Sequence, residues 1–123
     1  MDKLAHYKDC IQKLLIEHSH YSKDTADVES LLCFDVERDR YQLMRVGWQH
    51  LTRVYYTVLH FDIRDGQIWL QQNTTDSDVG EELVAMGVPR EDIVLGLQPP
   101  YKRPYTRYGV GRDRAACPED VSR

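Results

Sequence analysis

The chain of 123 residues has no CxxC spacing, and its three cysteines, Cys10, Cys33 and Cys117, are an odd number. That argues against a disulfide framework or a zinc ribbon and suits reduced thiols in a cytosol, where a free Cys packs as a small hydrophobe. It lacks any apolar run near the roughly 20 residues needed to cross a bilayer. Residues 1–21 carry charges throughout instead of a basic segment followed by an apolar core, so neither a secretory leader nor a membrane span is expected and the location implied is cytoplasmic. It also lacks positive charge overall: 16 Lys and Arg against 20 Asp and Glu give a net charge of -4, which disfavours non-specific coating of nucleic acid. The imbalance is local, because residues 97–123 carry six basic against three acidic side chains, the reverse of the rest. Finally, GxxxxGK[ST], HExxH and GxSxG are missing, as is a GxGxxG after a strand. The one Gly-rich scrap, Gly109-Val110-Gly111, follows a Pro-rich stretch instead of opening a helix.

What is present is the composition of a folding chain. Hydrophobic residues at 41% and charged residues at 29%, with eight Tyr and two Trp, place it among globular domains and away from disorder. Its length suits one domain, assigned to residues 1–111, with 112–123 as a flexible tail.

Apolar groups at Leu4, Tyr7, Ile11, Leu14, Leu15 and His18 recur at three- and four-residue steps, which predicts a helix from Asp2 to about Tyr21 with Asp2 as its cap. The period then changes to alternation. Four strands are expected: Val28 to Asp35, Tyr41 to Trp48, Arg53 to Ile63 and Gln67 to Thr74. Met44, Val46 and Trp48 share one face of the second strand. On the third, Tyr55, Leu59, Phe61 and Ile63 oppose Val54, Tyr56, Val58 and His60. Asp65-Gly66 between the last two strands supplies the positive φ angles of a tight hairpin turn. Asp76 or Ser77 is expected to cap a second helix that ends at Gly87 before Pro89. Ile93 to Leu97 can add a short strand, while Pro99, Pro100 and Pro104 are read as precluding regular structure beyond it. The fold class is therefore α+β: an antiparallel meander of about four to six strands, the N-terminal helix on one face and a second helix after the sheet.

Candidate functional residues are few. His60 and Asp62 share a strand face, a spacing that suits an acid–base pair or two ligands of one ion, and equally a satisfied histidine on a half-exposed sheet. His18 and His20 point apart on a helix and do not suit one metal. The carboxylates Asp76, Asp78, Glu81 and Glu82 are accounted for by helix capping. The segment PPYKRPYTRY interleaves Tyr101, Tyr105 and Tyr108 with Lys102, Arg103 and Arg107, a pattern that grips phosphates, supplies interface anchors or simply lays tyrosines on the domain.

In order, MDKLAHYKDCIQKLL, RDRYQLMRVGW, VLHFDIRDGQIWLQQNTTD and ELVAMGVPREDIVLGLQPPYKR resemble the XisI family, the fdxN-element excision controlling factors of cyanobacteria, over Met1 to about Gly111. Shared positions include Gly47, Trp48, His60, Asp62, Asp65, Gly66, Trp69, Pro100, Tyr101 and Lys102. The resemblance implies a non-enzymatic regulator of site-specific DNA excision during heterocyst differentiation, with no cofactor, working with an XisH-like partner and a recombinase. Contact candidates are Arg45, Trp48, Arg53, His60, Asp62, Tyr101, Lys102, Arg103, Tyr105 and Arg107. Two other expectations stand beside it: direct DNA binding through Arg45, Arg53, Lys102, Arg103 and Arg107, or a small enzyme using His60 and Asp62. An open sheet edge and exposed aromatics also make a homodimer an expectation.

Overall fold

The computed structural model describes residues 2–21 and 27–111; the segment expected as a tail lies outside them. The first helix, α1, spans Lys3–Ser19 and starts where the Asp2 side chain accepts a hydrogen bond from the Leu4 amide. Its stripe of Tyr7, Cys10, Ile11, Leu14, Leu15 and His18 is buried, while Leu4 at its start is left partly in water. Four strands follow: β1 (Val28–Asp35), β2 (Arg40–Gln49), β3 (Thr52–Arg64) and β4 (Gln67–Asn73). They form the expected antiparallel meander. Asp65 and Gly66 both adopt left-handed φ, 52° and 76°, the geometry of a two-residue turn that matches strand twist.

The second helix, α2 (Val79–Ala85), is capped by Asp78, whose carboxylate accepts from the Glu81 amide. Asp76 and Ser77 do not serve because the preceding loop closes on itself: Thr75 donates to the Asn73 side chain, Ser77 to the Thr75 hydroxyl and Asn73 back to the Ser77 carbonyl. A 3-10 turn (Arg90–Asp92) leads into β5 (Ile93–Leu95), which pairs with β4 in parallel. The sheet is thus mixed, in the order β1-β2-β3-β4-β5. Its β5 edge is closed by Gly109, whose amide donates to the Ile93 carbonyl at 2.8 Å. Contrary to expectation, the proline-rich stretch is ordered as a 3-10 helix, Pro100–Tyr105; its fixed φ angles suit that short helix.

The core lies between α1, α2 and one sheet face, where Tyr41, Leu43, Leu59, Phe61, Ile63, Ile68 and Leu70 meet Tyr7, Ile11, Leu14, Leu15 and Leu83. Each large apolar side chain so buried is worth roughly 1.5–3 kcal/mol. Two irregularities set what the other face presents. Leu43 pairs with Leu59 but Met44 with Thr57, leaving Val58 as an extra residue in β3; likewise Phe61 pairs with Leu70 and His60 with Gln72, leaving Gln71 extra in β4. The first bulge shifts the alternation. Tyr55 therefore sits opposite Val46 on the open face and not with Leu59, Phe61 and Ile63 as simple alternation predicts. The Thr57 hydroxyl confirms the new parity by donating to the Gln42 side chain on that face. Among the described residues no helix is long and apolar enough to cross a membrane.

Candidate functional site

The period-two geometry of β3 puts His60, Asp62 and Arg64 on the open sheet face, and the structure joins them. Asp62 is buried and accepts from three side chains: His60 Nε2 at 2.8 Å, Arg64 at 3.1 Å and Gln71 at 3.2 Å. Burial alone would push its carboxyl up, but the hydrogen bonds from His60 and Gln71 and the Arg64 charge hold it below the usual range. Alternation along β4 puts Gln71 on the same face as Trp69, beside Asp62. An acid–base pair would need the second imidazole nitrogen aimed at a reacting group. Among the described residues no hydroxyl or thiol is hydrogen-bonded to His60, and the Thr57 hydroxyl is engaged by Gln42. The histidine–cysteine encounter, Cys10 Sγ at 3.5 Å from His6 Nε2, is no better suited, since burial raises the thiol pKa and disfavours the thiolate. No group of three or more His, Cys, Asp or Glu among the described residues is placed to hold a metal.

Beside Asp62 lies Trp69, fully buried on the same face and sandwiched between guanidinium groups: Arg64 at 5.3 Å and Arg103 at 5.1 Å from the indole. Its Nε1 has no hydrogen-bond partner among the described residues. Arg103, grouped in the sequence with the outward cations, is an internal residue. Its Nε donates to the carbonyls of Leu95 and Gln98, and its Nη2 reaches Gly96. Five fixed donors let it close a loop of inward-facing carbonyls. This role leaves no mark in the sequence, whereas the i, i+2 spacing of Asp62 and Arg64 on a strand does.

With Arg103 pinned, the 3-10 helix presents its neighbours outward: Tyr101, Lys102 and Tyr105 are exposed. Arg107 pairs with Glu81 at 3.4 Å, where Arg90 at 2.7 Å and the Tyr108 hydroxyl at 2.5 Å also converge. Those contacts, the Arg90 hydrogen bond foremost, lower the Glu81 carboxyl to about 2. The cluster fastens the chain's last described turn onto α2.

Arg45, Trp48 and Arg53 lie at the opposite side of the molecule, on the β2–β3 hairpin. Arg45 turns to the helix-covered side and donates to Ser30 at 2.8 Å. Arg53 lies on the open side, its guanidinium 5.5 Å from the Trp48 ring and 5.6 Å from the Tyr55 ring, with one N–H on the Gly47 carbonyl. The five cations expected to contact DNA therefore do not converge on one surface. Leu51 and Tyr56, which the sequence did not single out, complete an exposed apolar hairpin end.

Comparison with known proteins places this architecture. The family described as XisI protein matches residues 1–110. The crystal structure of a XisI-like protein from Anabaena variabilis is similar at 58% identity and a TM-score of 0.85, over 88% of this chain and 99% of that one. That of the fdxN element excision controlling factor XisI from Anabaena variabilis is similar at 32% identity and 0.81, over 89% and 100%. No curated protein matches the chain. A helix-backed meander with these relatives along nearly its whole length makes this chain a member of the XisI family.

Proposed function

We propose that the chain is a non-enzymatic accessory factor that controls site-specific excision of a DNA element of the fdxN type during heterocyst differentiation, through contact with an XisH-like protein. Family membership supports it, as does the 32% identical relative described as an fdxN element excision controlling factor. The observation that carries it is where the reactive and the adhesive residues lie. His60 and Asp62 are tied to one another and to Arg64 and Gln71. The side chains that dominate protein interfaces, Trp48, Tyr55, Arg53, Tyr101 and Tyr105, face outward.

Co-expression with the XisH-like protein tests the proposal. A complex of fixed stoichiometry is expected on size exclusion, and a His60→Ala chain should support excision in cells as well as the original. Absence of any complex, or loss of excision with His60→Ala in a folded chain, defeats it.

A further inference from the structure

We infer that the distal β2–β3 hairpin, residues 44–57, is the surface through which the chain docks onto an acidic face of its partner protein. This deepens the preceding proposal and rests on it.

The first ground is charge. Between Asp39 and Asp62 the chain has no acidic residue, although it contains 20 in all. An acid-free hairpin carrying Arg45 and Arg53 departs from the sign of a body of net charge -4, with Glu29 of β1 facing it at Val46, and it sits on a protrusion. Pairing of β3 with β4 starts only at Leu59 with Asn73, so Thr52 to Thr57 run beyond β4 with β2 as their strand neighbour.

The second ground is exposure. Leu51 is 95% exposed, Tyr55 64% and Trp48 51%, three large apolar side chains left in water at one hairpin end, the kind of surface that marks an interaction site. The third is preorganisation. Arg53 is held between the Trp48 and Tyr55 rings and by the Gly47 carbonyl, so little side-chain freedom remains to be lost on binding. Aromatic rings flanking a guanidinium that still has donors to offer match a carboxylate set beside apolar slots.

The same charge pattern decides the occupant. A second copy docking by this patch would bring Arg53 a face on which β1 supplies the single carboxylate Glu29, opposite Val46, and a second Arg53, whereas an acidic partner offers carboxylates without that like charge. Nucleic acid requires many phosphate contacts for useful affinity, and on this face Arg53 is the hairpin's one arginine, since Arg45 turns to the other side. A protein bearing carboxylates satisfies both the charge and the apolar area.

Calorimetric titration of the full chain with the XisH-like protein is the test. Trp48→Ala is expected to weaken binding at least tenfold, and Arg53→Glu more than Arg53→Ala, while Ile16→Ala on the exposed side of α1, across the sheet from this face, changes it less than twofold. Circular dichroism shows whether each variant keeps its fold; Arg53→Lys, which retains charge without the planar fork, should fall between Arg53→Ala and the original. Binding within twofold of the original for folded Trp48→Ala and Arg53→Glu overturns this surface and leaves the accessory role intact. No complex with the unaltered chain takes down both. If the same variants instead abolish self-association or oligonucleotide binding while partner affinity is kept, the acidic partner is refuted as occupant.

Discussion

Single side chains divide here into those that hold the fold and those that face outward, and composition does not distinguish them. Arg103 and Lys102 are neighbours of the same sign, yet Arg103 is buried against three carbonyls and an indole while Lys102 is exposed. Arg103→Ala should therefore cost about 2–3 kcal/mol of unfolding free energy in urea, since it removes charge-assisted hydrogen bonds and strands buried acceptors. Lysine should recover only part, because it lacks the fork. Lys102→Ala should change stability by less than about 0.5 kcal/mol, as surface substitutions do. Equal losses at the two positions would show that the carbonyl clamp contributes little. The difference was not legible beforehand because the acceptors of Arg103 are main-chain atoms of a loop, and a sequence shows side chains only. Asp62 is the contrary case: its partners His60 and Arg64 stand two residues away on either side, which a strand converts directly into contact.

Among the elements, α1 and the four meander strands fall within about two residues of where periodicity places them, and the Asp65–Gly66 turn has the expected backbone. What alternation misses is the inserted residue. One unpaired Val58 reverses the parity of everything before it in β3, and so moves Tyr55 to the open face beside Arg53. The hairpin depends equally on Gly47, which adopts φ 154° where β1 begins, with the Asp27 carbonyl lying where a Cβ would be. The adjacent Trp48 amide donates to that same carbonyl at 2.8 Å. Gly47→Ala should separate β1 from β2 at this end and cost about 1–3 kcal/mol. Thermal unfolding measures the cost, and faster hydrogen exchange of the Trp48 amide locates it. An unchanged midpoint with an equally protected amide would mean that the crossing accommodates a methyl group.

Over the whole molecule, two phenols tie distant parts together, Tyr7 of α1 donating to Asp92 before β5 and Tyr108 to Glu81 of α2, while a third, Tyr41 of β2, donates to Asp39 at the turn beside it. Burial, followed by the carboxylate partner, raises all three pKa values. A phenol raised in the folded state stabilises fully below its ordinary pKa of about 10, and that contribution is lost as pH climbs above it. Tyrosinate absorbance in alkali should therefore show Tyr7, Tyr41 and Tyr108 ionising only as the fold is lost, with stability falling above about pH 10. Normal titration of all eight tyrosines in a still-folded chain would contradict that. At this scale the family was legible from ordered peptide pieces, whereas the outward surface required three dimensions, since it joins residues that a bulge and a turn bring together.

The two tryptophans sit in opposite surroundings, Trp69 shut between two arginines and Trp48 in water at the hairpin end. Iodide can therefore quench only one of them in the native state, and red-edge emission belongs to Trp48. A partner settling on the hairpin will shift that component alone, whereas urea will bring Trp69 into reach, so a single fluorescence spectrum separates docking from unfolding.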